Sequence, residues 1–169
     1  AWVKQLCPNS NCYGDAYARF GLFGGVIPPV MAHGVYGTQQ EWELMKKNNV
    51  YLAHCPESNI NLSSGIAPVK KLLNLGVPIG LGSDVAGGSR LSIFHAATYA
   101  IQASKLRNIL IDSSESALTV RESFYLATKG GGSFFGKTGS FETGYDFDAV
   151  VIDDRNFGER FCLDLEQRL

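Results

Sequence analysis

The sequence predicts an α/β fold built on a parallel sheet, and three observations carry that expectation. Short apolar runs end in a polar residue at His33, His54 and Asp84, and each is followed by a loop and then a segment with helical signals. The first of those segments and a later one open with the capping-box form, Thr38-Gln39-Gln40-Glu41 and Thr119-Val120-Arg121-Glu122, in which hydroxyl and carboxylate satisfy each other's free backbone donors. Strands that alternate with helices in this way pair in parallel through right-handed crossovers.

Taken in order, Trp2, Val3 and Leu6 suit a helix closed by Pro8-Asn9-Ser10-Asn11, and Asp15 is read as the cap of a short helix reaching Phe20. The prolines at 28 and 29 belong outside a central ladder, which leaves 30–33 as the first strand. Thr38 then starts a helix to about Lys47 with Trp42 and Met45 inward, and Asn48-Asn49 stops it. The run 50–53 is the second strand, ending at His54-Cys55-Pro56, and 57–65 is read as a loop. Pro68 sits where a first helical turn tolerates it and Gly76 just past the end, so a helix lies between them. The third strand, 77–81, is bounded by Gly76 and by Gly87-Gly88, too short for a helix and apolar on both faces. Ser92 caps a helix to about Lys105 with an apolar stripe at 93, 96, 97, 100 and 101; His95 on it is read as packing or surface. A loop over 108–116, a helix from Thr119 to about Thr128, and a break at Gly130-Gly131-Gly132 complete this pattern. After Lys137, short β-prone runs separated by Gly and Asp over 139–153 predict a small sheet outside the main layer.

The chain has 169 residues, 45% hydrophobic and 18% charged, enough for one sizeable core. A formal net charge of -1 supplies neither a basic field for nucleic acid nor a polybasic patch for a membrane, so neither is expected as a partner. No apolar run is long enough to span a bilayer. Cys7, Cys12, Cys55 and Cys162 form no Cys-x-x-Cys pair and no zinc-ribbon spacing, which points to reduced thiols and a cytoplasmic protein. The chain opens Ala1-Trp2-Val3-Lys4 without an initiator Met, and the expectation is a piece of something larger.

Gly80-Leu81-Gly82-Ser83-Asp84-Val85-Ala86-Gly87-Gly88 is the stretch on which chemistry is centred. In parallel α/β architectures the active site lies beyond the carboxyl ends of the strands, so a carboxylate at that end reads as functional. The alternative is that Asp84 caps the next helix or closes an Asx-turn. His54, before Cys-Pro at a strand end, could be a ligand, a hydrogen-bonded orienter or a core residue. Ser58 and Asn59 are read as shaping the loop. The Gly87-Gly88 turn lacks both Gly-x-Gly-x-x-Gly spacing and a P-loop Lys, which excludes a phosphate cradle.

Four ordered motifs, Val30-Met31-Ala32-His33-Gly34, Ala53-His54-Cys55-Pro56-Glu57-Ser58-Asn59, the Gly80 to Gly88 stretch and the 139–153 segment, resemble the amidohydrolase superfamily, in its guanine-deaminating branch. The resemblance covers nearly the whole chain. It implies that the three strands are the sixth, seventh and eighth of a (β/α)8 TIM barrel, with 1–137 the partial barrel and 138–169 the return segment to a small β domain. It also implies zinc held by a His-x-His pair, a fifth-strand His and an eighth-strand Asp. Asp84 falls on the last of these as metal ligand and catalytic base, and His33 on the catalytic sixth-strand histidine beside the metal. No His-x-His occurs in this sequence, and the fifth-strand His with its proton-shuttling Glu has no counterpart.

The chemistry implied by the resemblance is attack of an activated water on the amino-bearing carbon of guanine, giving xanthine and ammonia. Asp84 would accept and pass on the water's proton, and His33 would orient the nucleophile and stabilise charge. The partner is then a small-molecule purine, and the complete enzyme is expected to be a homo-oligomer. The Cys/His motif of the zinc base deaminases is absent. Two other functions compete: another amidohydrolase that deaminates or dechlorinates a related heterocycle, and a non-catalytic fragment.

Overall fold

A computed structural model of the chain describes residues 2–153. The elements run α1 (Trp2–Leu6), α2 (Tyr13–Ala18), β1 (Val30–Ala32), α3 (Gln39–Lys47), β2 (Tyr51–His54), α4 (Pro56–Asn61), α5 (Val69–Leu75), β3 (Ile79–Leu81), α6 (Ile93–Leu110) and α7 (Val120–Tyr125). The three strands pair in the order β1-β2-β3. Both ladders are parallel, with Met31 opposite Leu52 and Ala53 opposite Gly80. This is the parallel α/β layer the alternating pattern predicts.

Local chemistry explains most boundaries. The Thr38 hydroxyl accepts from the Glu41 N–H at the start of α3, as the capping motif requires. The other half of that box is diverted, because Glu41 Oε1 accepts from the Gly14 N–H and so ties α2 to α3. At α7 the box is complete: Thr119 Oγ1 takes the Glu122 N–H and the Glu122 carboxylate takes the Thr119 N–H. Gly76 closes α5 in the left-handed region at φ 79, where a Cβ is strained. Leu52, Leu72, Val50, Val69 and Leu126 are fully buried between sheet and helices. Burying such a side chain contributes about 1.5–3 kcal/mol, so this cluster fixes the helix layer to the strands.

Several expectations are corrected. Asp15 does not cap α2; Cys12 is the N-cap, its Sγ accepting from the Asp15 N–H, while Asp15 Oδ2 takes the Asn11 N–H. The loop read over 57–65 begins instead as α4, started by Pro56 at its first position, where a missing N–H costs nothing. Helix α6 runs to Leu110, past 105, because Arg107 bonds Glu115 and the Ile66 carbonyl, and Asn108 bonds the Ser113 and Glu115 carbonyls. Gly130 to Gly132 do not break the helix. The backbone continues as a π-turn over Leu126–Gly130 and a 3-10 turn over Ser133–Phe135. These glycines serve close approach: a Cβ on Gly80 would lie 2.8 Å from Gly131 Cα, and one on Gly130 2.7 Å from the Ile79 carbonyl oxygen.

The small sheet expected over 139–153 is not formed among the described residues, and the rest of 138–169, with Cys162, lies outside them. Phe147, Val150 and Val151 are exposed, with no strand beside them to accept a ladder.

Candidate active site

The carboxyl ends of the strands carry the polar residues singled out in the sequence. The His33 N–H donates to the Ala53 carbonyl at 3.0 Å, extending the β1 ladder by one bond, and the Gly82 N–H donates to the His54 carbonyl at 2.9 Å. Beyond those bonds the backbone turns sharply. His33 sits at φ 72 and Asp84 at φ 45, both left-handed and uncommon for residues with a Cβ. Strain of this kind concentrates at functional positions.

Asp84 is held in place by its own loop and by α4. Its carbonyl accepts the Gly88 N–H at 2.7 Å. That fold-back requires glycine, since a Cβ on Gly88 would lie 2.1 Å from the Ser83 carbonyl oxygen and one on Gly87 2.5 Å from Ser58 Oγ. Ser58 Oγ donates to Asp84 Oδ2 at 2.5 Å. The helix-cap alternative for Asp84 does not hold, because α6 is capped by Ser92.

The first turn of α4 supplies three consecutive side chains to this region. Ser58 grips Asp84, and Asn59 Oδ1 lies 2.9 Å from His33 Nδ1. Glu57 accepts from Ser89, through its N–H at 3.0 Å and its hydroxyl at 2.5 Å, and its Oε1 lies 3.4 Å from His95 Nε2. The Ser89 hydroxyl holds the Glu57 carboxyl below its ordinary range, with the Ser89 N–H and His95 adding to the effect against that of burial. His95 is therefore a packing residue that sits beside the Glu57 carboxylate. Glu57, Ser58 and Asn59, read from sequence as loop, form a buried platform for the site. Pro after a strand-end Cys, with an acid in the next position, was the available signal for that helix.

His33 and Asp84 face each other across an open gap. His33 Nε2 and Asp84 Oδ2 are 4.0 Å apart, and the side chains are 44% and 41% exposed, so a ligand can reach both. His54 shares the strand end but not the gap: it is 1% exposed and neither ring nitrogen has a hydrogen-bond partner. Burial pushes its pKa down to about 4, so the ring is neutral near pH 7. Of its three sequence alternatives, the core residue is the one that fits. Burial, with the Asp84 charge adding to it, pushes the Cys55 thiol up, which makes it a poor nucleophile.

An exposed carboxylate beside an imidazole can accept and return a proton and can offer one edge to a cation. Among the described residues no group of three or more His, Cys, Asp or Glu side chains is placed to hold a metal ion. No helix there is long and apolar enough to cross a membrane.

Comparison with known proteins gives the family. The amidohydrolase family model matches residues 11–166. Guanine deaminase of Rattus norvegicus is 41% identical over 157 residues, covering 90% of this chain and 34% of that protein. The chain thus spans about a third of the length of the curated relatives it matches. The crystal structure of guanine deaminase from C. acetobutylicum with bound guanine in the active site superposes at a TM-score of 0.86 and 51% identity, covering 92% of this chain and 37% of that one. That of an adenosine deaminase from Xanthomonas campestris with bound zinc superposes at 0.73 and 26% identity, covering 89% and 34%. A strand-end His and Asp on a parallel α/β layer, with a family match over nearly all of the sequence, places this chain in the amidohydrolase family.

Proposed function

We propose that this chain is the C-terminal portion of a zinc-dependent, cytoplasmic guanine deaminase, in which β1, β2 and β3 are strands six to eight of the barrel. The observation that carries the reading is the His33–Asp84 pair at the ends of parallel strands, in a chain 41% identical to a guanine deaminase. The reaction is guanine plus water to xanthine plus ammonia.

Zinc would take Asp84 as one protein ligand. The described residues hold no group of three donors, so the remaining ligands must come from elsewhere in the complete enzyme. When bound, the metal supplies the Lewis acidity that makes water a nucleophile at neutral pH. Asp84 Oδ2, fixed by Ser58, leaves a half-exposed carboxylate able to take the water's proton and return it to the departing amino group. His33, held at Nδ1 by Asn59, aims Nε2 at the same space and orients the attacking water. Proton transfer by a positioned group contributes about 10²–10⁴-fold in rate.

The test is co-expression with the N-terminal portion of a related guanine deaminase. Xanthine formation and zinc content should appear only when the two parts are together, and Asp84→Asn in the pair should abolish turnover. Guanine turnover with stoichiometric zinc from the purified chain alone would refute the division of the site. Activity of the pair on a chlorinated or aminated triazine but not on guanine would favour the related-heterocycle reading.

A further inference from the structure

We propose that Asn59 is a positioning residue that fixes His33 in the Nδ1–H tautomer, so that Nε2 presents a lone pair to the gap facing Asp84. Asn59 lies on α4, is 2% exposed, and places Oδ1 2.9 Å from His33 Nδ1. With Oδ1 turned to the ring the amide can only accept, which puts the ring proton on Nδ1, and Asn59 Nδ2 is left buried with no hydrogen-bond partner. The other ring nitrogen is not engaged: Nε2 is 4.0 Å from Asp84 Oδ2, beyond hydrogen-bond reach. Asp84 takes its hydrogen from Ser58 instead. Two acceptors, an imidazole lone pair and a carboxylate, therefore line the gap, an arrangement that calls for a donor or a cation between them.

The backbone supports the same assignment. His33 is held at φ 72, a strained conformation that persists only where the surroundings hold it, and Asn59 is a hydrogen-bonding partner of its ring. Asn59 in turn is fixed by burial in α4, whose neighbours Glu57 and Ser58 grip the Asp84 loop. One helical turn thus sets the orientation of both residues. In the deaminase reading, on which this last consequence rests, the Nε2 lone pair accepts an O–H of the attacking water and aims its oxygen.

The chain contains three histidines, so nitrogen-15 histidine labelling gives a spectrum that His33→Gln and His54→Gln assign, each by the loss of its own signals. At about pH 8 His33 should show a protonated-type shift at Nδ1 and a lone-pair-type shift at Nε2. Asn59→Leu should lose that signature for the mixture of tautomers seen in solution. Asn59→Asp, which keeps an acceptor, should retain it, and Ser58→Ala should leave it unchanged. The His54 signals report folding in the spectra of the Asn59 and Ser58 variants. An Nε2–H tautomer in the unaltered chain, or an Nδ1–H signature that survives Asn59→Leu, overturns the proposal. If Asn59→Leu does not fold, the unaltered chain and Asn59→Asp still decide it. The readout needs no turnover, so failure of the deaminase reading and failure of this one are separate results.

Discussion

Acid should destabilise this fold through His54. The ring is 1% exposed, both nitrogens lack partners, and its pKa is pushed from the ordinary 6.5 to about 4 by burial. Because the folded pKa is depressed, the unfolded chain binds the extra proton between those two values, so stability is complete above pH 6.5 and falls as pH drops toward 4. At 1.36 kcal/mol per unit the full loss is about 3 kcal/mol, and at pH 5 it is about 2 kcal/mol. With a urea dependence near 2 kcal/mol per molar, the unfolding midpoint should drop by roughly 1 M between pH 7.5 and pH 5 from this group alone. Other groups titrate in the same range, so the measurement is a difference. Urea unfolding by tryptophan fluorescence at both pH values is compared with His54→Leu, an apolar replacement with no proton to gain. The variant should lose about 1 M less of its midpoint than the parent. Equal losses would mean that His54 is already charged, or already exposed, in the folded chain.

Two further perturbations test other parts of the structure. Gly80→Ala should destabilise by about 1–3 kcal/mol, the usual range for overpacking, because the new Cβ would meet Gly131 Cα at 2.8 Å and neither backbone can retreat; a midpoint shift within error in urea would contradict that packing. The purified chain should self-associate, since the outer edges of β1 and β3 pair with no strand among the described residues and Val26, Ile27 and Phe94 are exposed; a monomer at all concentrations in sedimentation velocity would refute this.

The sheet and most helices were legible in the sequence because their signals are local. Short apolar runs, Thr-x-x-Glu boxes and Gly76 each act within one turn or one strand, and β1, β2, β3, α3, α5 and α7 follow from them. What failed depended on distant partners. Glu41 leaves its box for Gly14, which no spacing within 38–41 reveals. Gly130 and Gly131 look like a helix stop, yet their missing Cβ atoms admit the backbone of β3 across the fold. His33 and Asp84 could be placed at strand ends, since parallel topology puts chemistry there. That Ser58 and Asn59 would hold them could not, because Pro56-Glu57 marks where the six-residue helix starts, but with no apolar period nothing shows which of its side chains face the strand ends.

That short helix sets a limit on the site. Holding His33 and Asp84 in left-handed conformations costs about 1–3 kcal/mol each, and a hydrogen bond to a charged group returns about 1.5–3 kcal/mol. The Ser58 bond to the Asp84 carboxylate is therefore of the size needed to offset the strain at that residue, while the neutral Asn59 bond to His33, worth about 0.5–1.5 kcal/mol, offsets only part of it. A helix of six residues has no stability of its own in water, so α4 persists through its packing on α6 and through Glu57, which bonds Ser89 and faces His95. The geometry of the His33–Asp84 gap is consequently coupled to contacts on the far side of α4. A substitution at Glu57 or His95, which touch neither residue of the pair, acts on the gap by releasing the turn that positions both.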